Sequence, residues 1–525
     1  MIKTITRDHT IFPPEVMNLK KQTKPLNKKT ATPDKKTLQP GQKDIPLDQI
    51  LFAIPAALFI VSPIFDIFMF FFATILHLES WDSYAFLPYF PTVIAGLFAV
   101  ALVVRLTAYK DKNLLKKALD RTQTFRIPLI LFAVYLILLL VSVAAHGFGG
   151  YALRGHHYTK MSVWIYLANV LIYFLASSFI YDGRVKEYLV KGCVVIATFY
   201  ALYGITQYVF KPYNGGLRGT FHHYNHYGYY LSVSISLTAS LLVEALSGKK
   251  RGGEGKDALK KAPEWIAWCG MMLVQCVALG YCDTFGAWIA VLFSSIFLFV
   301  AWLIKEGRVN WRALVPLALF LATSVALNAF FGSNIFASIS ETFKDIEEIA
   351  APAALAEAPV DDSAALTVPT DNGVEGIVET ETAAEIAGQD MPLGPGSGRW
   401  TIWKLTVKNI LEKPLFGSGI EGLLDIITSE GAISGSPHNE YLEYMAFFGI
   451  PAGLAYIAAC LSVFIHALKH KKELNAMTLA CLTGGFGYLV SAFFGVCFFY
   501  TVSYVFIFLG LSLNFAGKDR PAAES

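Results

Sequence analysis

Charge is scarce in this sequence. Asp, Glu, Lys and Arg make up 16% of the 525 residues, where a soluble domain carries roughly 25%. That shortfall excludes an ordinary soluble fold for most of the chain. Cysteine is sparse as well. The seven residues lie inside or at the ends of apolar runs, none in C-x-x-C spacing. Neither a disulfide framework nor a zinc site is expected, and the thiols read as small hydrophobes in packed helices. The first 49 residues lack an apolar h-region, so no signal peptide is expected there. They are polar and rich in Lys, Pro and Thr, which suits a disordered basic tail.

Long apolar runs are abundant. Hydrophobic residues reach 54%, with 40 Phe and 25 Tyr. A bilayer span takes about 20 mostly apolar residues, and such runs recur from Ile50 to the C-terminus. Spans are expected near 51–78, 88–106, 127–147, 161–181, 188–210, 227–246, 264–281, 284–304, 312–331, 443–467, 476–494 and 496–516. The expected fold class is all-α: a polytopic integral membrane protein with about twelve transmembrane helices. Residues 1–49 form the tail, 50–331 the first nine spans, 332–439 a long loop, 440–517 the last three spans and 518–525 a short C-terminal tail.

Lys and Arg collect on the cytoplasmic side of a membrane protein. Here they crowd alternate loops: Lys110 to Arg121, Lys249 to Lys261, Lys305 to Arg312, and Lys469 to Lys472. With twelve spans these loops and the basic tail share one side. Both termini are therefore expected in the cytoplasm, and the 332–439 loop on the outside of the cytoplasmic (inner) membrane. Residues 350–397 of that loop hold acidic residues and no Lys or Arg, and read as a flexible insert. Residues 399–411 space Trp400, Ile402, Trp403, Leu405, Val407 and Ile410 among basic residues. They are expected to form an amphipathic helix on the membrane surface or over a cavity.

Polar residues gather at two places at the outer boundary. One is Arg218-Gly219-Thr220-Phe221-His222-His223-Tyr224-Asn225-His226; the other is Pro437-His438-Asn439-Glu440-Tyr441-Leu442-Glu443. An Arg beside a glycine turn suits a phosphate, with permanent charge and forked donors. An imidazole can take the proton of an attacking hydroxyl, and Asn439 could hold that ring or a substrate oxygen. Plainer readings stand beside these. Arg218 could be an interfacial anchor, and His438 a packed helix-end residue. The tyrosines near 224–230 fit an interfacial belt. The three histidines at 222, 223 and 226 have no carboxylate or Cys at helpful spacing, so no metal is expected. Asp66 lies within the first span, where a carboxylate is costly; an interior polar partner is expected for it.

At these clusters the sequence resembles the O-antigen ligase superfamily of ligases, O-antigen polymerases and bacterial protein O-oligosaccharyltransferases. The matching residues are Arg218-Gly219-Thr220-Phe221 with Asn225, Arg399 with Trp403, Pro414, Gly417 and Gly419, His438-Asn439, Tyr441-Leu442 and Gly449-Ile450. The resemblance covers roughly residues 192–464. It implies a GT-C-like, inverting membrane glycosyltransferase. Such an enzyme takes a glycan from a polyprenyl (undecaprenyl) diphosphate carrier and passes it to a hydroxyl of a glycan, a lipid-linked sugar or a protein. No cofactor or metal is implied. Arg218 would bind the diphosphate, with Arg399 as a second candidate; His438 would activate the acceptor; Asn439, Asn225 and Glu440 would support them. The family's Ser-Arg-Gly element has Thr284-Phe285-Gly286 in its place, so Phe285 stands where an Arg is usual. A twelve-helix transporter or flippase for an envelope precursor is the alternative reading. Membrane lipids are expected partners; nucleic acid is not, because the basic loops are accounted for by orientation.

Overall fold

The computed structural model describes residues 45–76, 87–108, 113–155, 160–210, 217–221, 223–247, 258–282, 284–333, 336, 399–420, 422–423, 436–495 and 499–513. Residues 1–44 of the expected 1–49 tail, the acidic insert, His222, Asp283 and the last twelve residues lie outside the described residues. So does the side chain of Arg399.

Every expected apolar segment contains an α-helix. In chain order these are α1 (Leu47–Ile75), α2 (Phe90–Thr107), α3 (Leu114–Thr122), α4 (Arg126–Ala145), α5 (Gly150–Arg154), α6 (Val163–Phe179), α7 (Gly183–Phe210) and α8 (Tyr224–Ser247). Then come α9 (Ala258–Tyr281), α10 (Phe285–Glu306), α11 (Val315–Phe330), α12 (Arg399–Glu412), α13 (Glu440–Phe448), α14 (Ile450–Lys469), α15 (Ala476–Ala492) and α16 (Phe499–Leu513). Among the described residues nine helices are long and apolar enough to cross a membrane, and α6, α15 and α16 are shorter apolar helices. The chain is a polytopic membrane protein. The 17 residues of α6 and of α15 rise about 25 Å and the 15 of α16 about 22 Å, short of the hydrocarbon thickness of about 30 Å. All of α16 is buried, so protein rather than lipid surrounds that short helix.

The helix α8 is the hub. Its buried residues run from His226 to Val243. Lipid offers no hydrophobic drive between helices, so close packing of small residues takes its place. A methyl at Gly487 of α15 would stand 2.7 Å from the Ser236 hydroxyl, and one at Gly484 would stand 2.9 Å from Leu237. Several polar groups in this core are bonded across helices. Gln275 bridges Thr198 (2.8 Å) and Thr238 (3.0 Å), and Ser236 pairs with Ser294 at 2.7 Å.

Several boundaries differ from expectation, and at two of them the structure shows why. The first helix begins at Leu47, before the expected start. Gln49 is buried because its amide donates to the Phe179 carbonyl at 2.9 Å and accepts from the N–H groups of Tyr181 and Asp182. The expected span 443–467 is broken: α13 stops at Phe448 and α14 starts at Ile450, with Gly449 at φ +89° between them. A left-handed residue cannot continue an α-helix, and Pro451 lacks the N–H that a continuous helix would use.

Candidate functional site

The 217–221 turn links α7 to α8 and is held on several sides. The Leu217 N–H donates to the Tyr281 carbonyl at the end of α9, 2.7 Å away. Gly219 has φ +60°, and a Cβ there would press on the Tyr200 ring at 3.4 Å. The Thr220 N–H donates to the Tyr200 hydroxyl at 3.0 Å. The Thr220 hydroxyl donates to the Asp66 carboxylate of α1 and contacts the Tyr200 hydroxyl. Phe221 packs among Tyr200, Tyr227, Tyr230 and Tyr500, with ring centroids 5.3–5.8 Å apart. Arg218 is half-buried between these anchors. Asp66 thus has the interior polar partner expected for it.

Next along the chain, the Asn225 N–H donates to Nδ1 of His223 at 3.1 Å. His223 and His226 have ring centroids 5.8 Å apart, and His226 is buried. Arg154 ends α5 with its side chain exposed.

His438 precedes α13 and has φ +50°, a left-handed conformation shared with only Lys160 among the described non-glycine residues. An L side chain pays about 1–2 kcal/mol there. The neighbours hold it. The Trp403 indole N–H of α12 donates to the Pro437 carbonyl at 2.7 Å. The His438 N–H donates to the Ser436 hydroxyl oxygen at 3.3 Å, and that hydroxyl donates to the Glu443 carboxylate at 3.1 Å. Asn439 is the N-cap of α13: its side-chain oxygen accepts from the Leu442 N–H at 3.1 Å. That bond satisfies one of the four donors a helix start leaves open. Glu440 is fully buried and accepts from the hydroxyls of Tyr456 on α14 (2.8 Å) and Tyr488 on α15 (2.6 Å). Asn439 and Glu440 therefore fasten α13 in place.

The break after α13 is filled by backbone from the turn that follows α12. The Ser418 N–H donates to the Ala446 carbonyl and the Ile450 N–H to the Pro414 carbonyl, both at 2.8 Å. The α4 helix adds two bonds from outside: the Ser142 hydroxyl donates to the Phe416 carbonyl at 2.6 Å, and the His146 ring lies 3.1 Å from the Gly417 carbonyl.

Helix α12 buries Ile402, Thr406, Asn409 and Ile410 and exposes Lys404, Val407, Lys408 and Leu411. The exposed side and Leu442 line an apolar trough of about 600 Å³, flanked by the two lysines and Glu412.

One turn connects the two polar elements. At the end of α15, Phe493 stacks edge-on to Trp403 at 5.6 Å, and the Phe494 carbonyl accepts from the Tyr229 hydroxyl of α8 at 2.9 Å. Phe285 occupies the position where the resemblance leads one to look for an Arg; its ring packs on Phe494 at 5.8 Å. The pairings of Asp66 with Thr220, Glu440 with two tyrosines, and Trp403 with Pro437 were not read from the sequence. Only the cost of a carboxylate inside a span pointed to the first.

No curated protein sequence matches the chain. Residues 270–457 match the family model for O-antigen ligase, a segment that holds Phe285, α12, His438, Asn439 and Glu440 and leaves Arg218 and Asn225 before its start.

Proposed function

We propose that this protein is a membrane glycosyltransferase of the O-antigen ligase or polysaccharide polymerase type. It moves a glycan from a polyprenyl-diphosphate carrier to a hydroxyl acceptor at the outer face. The observation that carries the reading is His438 within the family match, on a left-handed backbone position and pinned on both sides.

The chemistry follows from the side chains. A neutral ring nitrogen of His438 accepts the proton of the acceptor hydroxyl. The oxygen then attacks the anomeric carbon of the donor glycan from the face opposite the carrier. A new carbon–oxygen bond forms, the bond to the carrier diphosphate breaks, and the electron pair leaves with the diphosphate. Configuration inverts. Arg218 carries the charge that meets the departing diphosphate, with Arg399 as a second candidate. The trough beside Lys404 and Lys408 is apolar with cationic flanks, which suits a lipid chain carrying phosphate.

The test is glycan and carrier analysis in a deletion strain complemented with wild type or His438→Ala. Accumulated single repeat units identify a polymerase. Long chains left on the carrier identify a ligase. If the deletion changes neither and His438→Ala behaves as wild type, the transfer reading fails and export of an envelope precursor takes its place; if the deletion changes the glycan and His438→Ala restores it, only the catalytic role of His438 fails.

A further inference from the structure

Asp66 sits within the membrane-length part of α1 and is 3% exposed. A carboxylate is costly at such a place and usually has a task, yet the transfer chemistry above assigns it none. Its surroundings restrict what the task can be. Thr220 has one hydroxyl proton, and that proton goes to Asp66 Oδ2. The contact between Tyr200 and Thr220 must then be made by the Tyr200 proton. The Tyr200 oxygen in turn accepts from the Thr220 N–H. The protons are ordered from Tyr200 to Thr220 to Asp66, ending on an acceptor that is stronger when ionised. This chain grips the 218–221 turn just after Arg218, while the Leu217 bond to Tyr281 grips it just before. Gly219, over the Tyr200 ring, lets the turn reach that depth.

We propose that Asp66 is a positioning residue for Arg218: through Thr220, the carboxylate of α1 fixes the turn that presents the guanidinium to the donor's diphosphate. The inference rests on the reading of Arg218 as the diphosphate ligand. In this role Asp66 acts on the donor through Thr220 and Arg218. Its loss therefore weakens donor capture and leaves the acceptor and the proton transfer alone.

The experiment measures transfer by the full chain in lipid nanodiscs against varied polyprenyl-diphosphate-linked glycan, and separately against varied acceptor. Asp66→Ala and Thr220→Val each raise the donor KM by about tenfold, from loss of a hydrogen bond to a charged group, with the acceptor KM unchanged. The double variant is no worse than either alone, since both act on one link. Asp66→Asn, which keeps an oxygen acceptor for Thr220, recovers most of the loss. Equal donor KM values in wild type and Thr220→Val overturn the proposal, as do additive effects in the double variant. A fall in kcat or yield with both KM values unmoved means that Asp66 only holds the helices together. Thr220→Val keeps the test decisive if Asp66→Ala does not fold. Arg218→Ala separates the two readings. If it leaves the donor KM unaltered, the diphosphate role of Arg218 fails and this inference with it; if it raises the donor KM while Thr220→Val does not, only the positioning role fails.

Discussion

The indole N–H of Trp403 donates to the carbonyl oxygen of Pro437 at 2.7 Å, joining positions 34 residues apart. The bond ties the exposed loop helix to the residue before His438. We predict that Trp403→Phe keeps the ring contact with Phe493 but leaves the Pro437 carbonyl without this donor. Losing one such bond costs about 1–3 kcal/mol, so transfer falls by about tenfold while the amount of protein in the membrane stays the same. Activity of Trp403→Phe equal to wild type, in isolated membranes, would remove α12 from the support of His438.

The left-handed backbone of His438 allows stability and activity to be separated. At φ +50° glycine is at ease, whereas alanine meets the same steric penalty as histidine. We expect His438→Gly to be more stable than His438→Ala by about 1 kcal/mol, read from unfolding in detergent. Both variants lose transfer by about 10²–10⁴, the usual contribution of a general base. An active His438→Gly would mean that the imidazole is dispensable and that the turn alone matters.

Much of the fold was legible, because bilayer spans announce themselves through long apolar runs. The division of α9 from α10 and of α15 from α16 was legible too, from Asp283 and Gly495 interrupting such runs. The break at Gly449 was not. Gly449-Ile450-Pro451 sits in an apolar stretch that hydropathy alone reads as continuous. Gly449 and Pro451 permit the break and backbone from the 414–418 turn fills it, and hydropathy carries no record of that contact. The candidate site divides in the same way. Residue types near 218 and 438 could be read along the chain, whereas their supports came from far away: Asp66 is 154 positions from Thr220, and Tyr488 is 48 from Glu440. A carboxylate in an apolar helix signals that a partner exists, without naming it.

Glu440 offers a stability test independent of any assay for glycan. Its carboxylate is fully buried and accepts from Tyr456 and Tyr488, so α13, α14 and α15 meet on one group. Tyr488→Phe is predicted to destabilise the protein by about 1–3 kcal/mol, the cost of taking a hydrogen-bond partner from a buried polar group. Tyr456→Phe on top of it should cost more than its effect alone, because the buried carboxylate then keeps only Tyr444 of its three tyrosine donors. Detergent unfolding that shows a change under about 0.5 kcal/mol, as for an ordinary surface substitution, would mean that this carboxylate does not anchor α13.

The glycines around the broken helix make the sharpest contrast. Gly449 has φ +89°, and a Cβ there would lie 2.5 Å from the Leu415 carbonyl carbon and 2.9 Å from the Phe416 nitrogen. Gly417 has φ +69°, and its Cβ would meet the Ala446 oxygen at 2.5 Å and the Phe447 carbonyl carbon at 2.6 Å. The obstacles are backbone atoms, which cannot swing aside as side chains do. They belong to the very segments that bond across the break. Gly449→Ala and Gly417→Ala must therefore push the 414–418 turn away from α13, and with it the footing of His438. Each is predicted to cost at least about 1–3 kcal/mol from backbone strain alone and to lower transfer. Gly270, inside α9 with nothing within 4 Å of an added Cβ, is the control. There alanine relieves the entropy cost of a helical glycine, and Gly270→Ala should be neutral or stabilising by up to about 1 kcal/mol. Unfolding and transfer measured on all three variants decide the matter. If Gly449→Ala behaves like Gly270→Ala, the turn is not what holds the helix open at Gly449. If Gly449→Ala and Gly417→Ala fail together while Gly270→Ala does not, the stitched break is the platform on which the histidine stands.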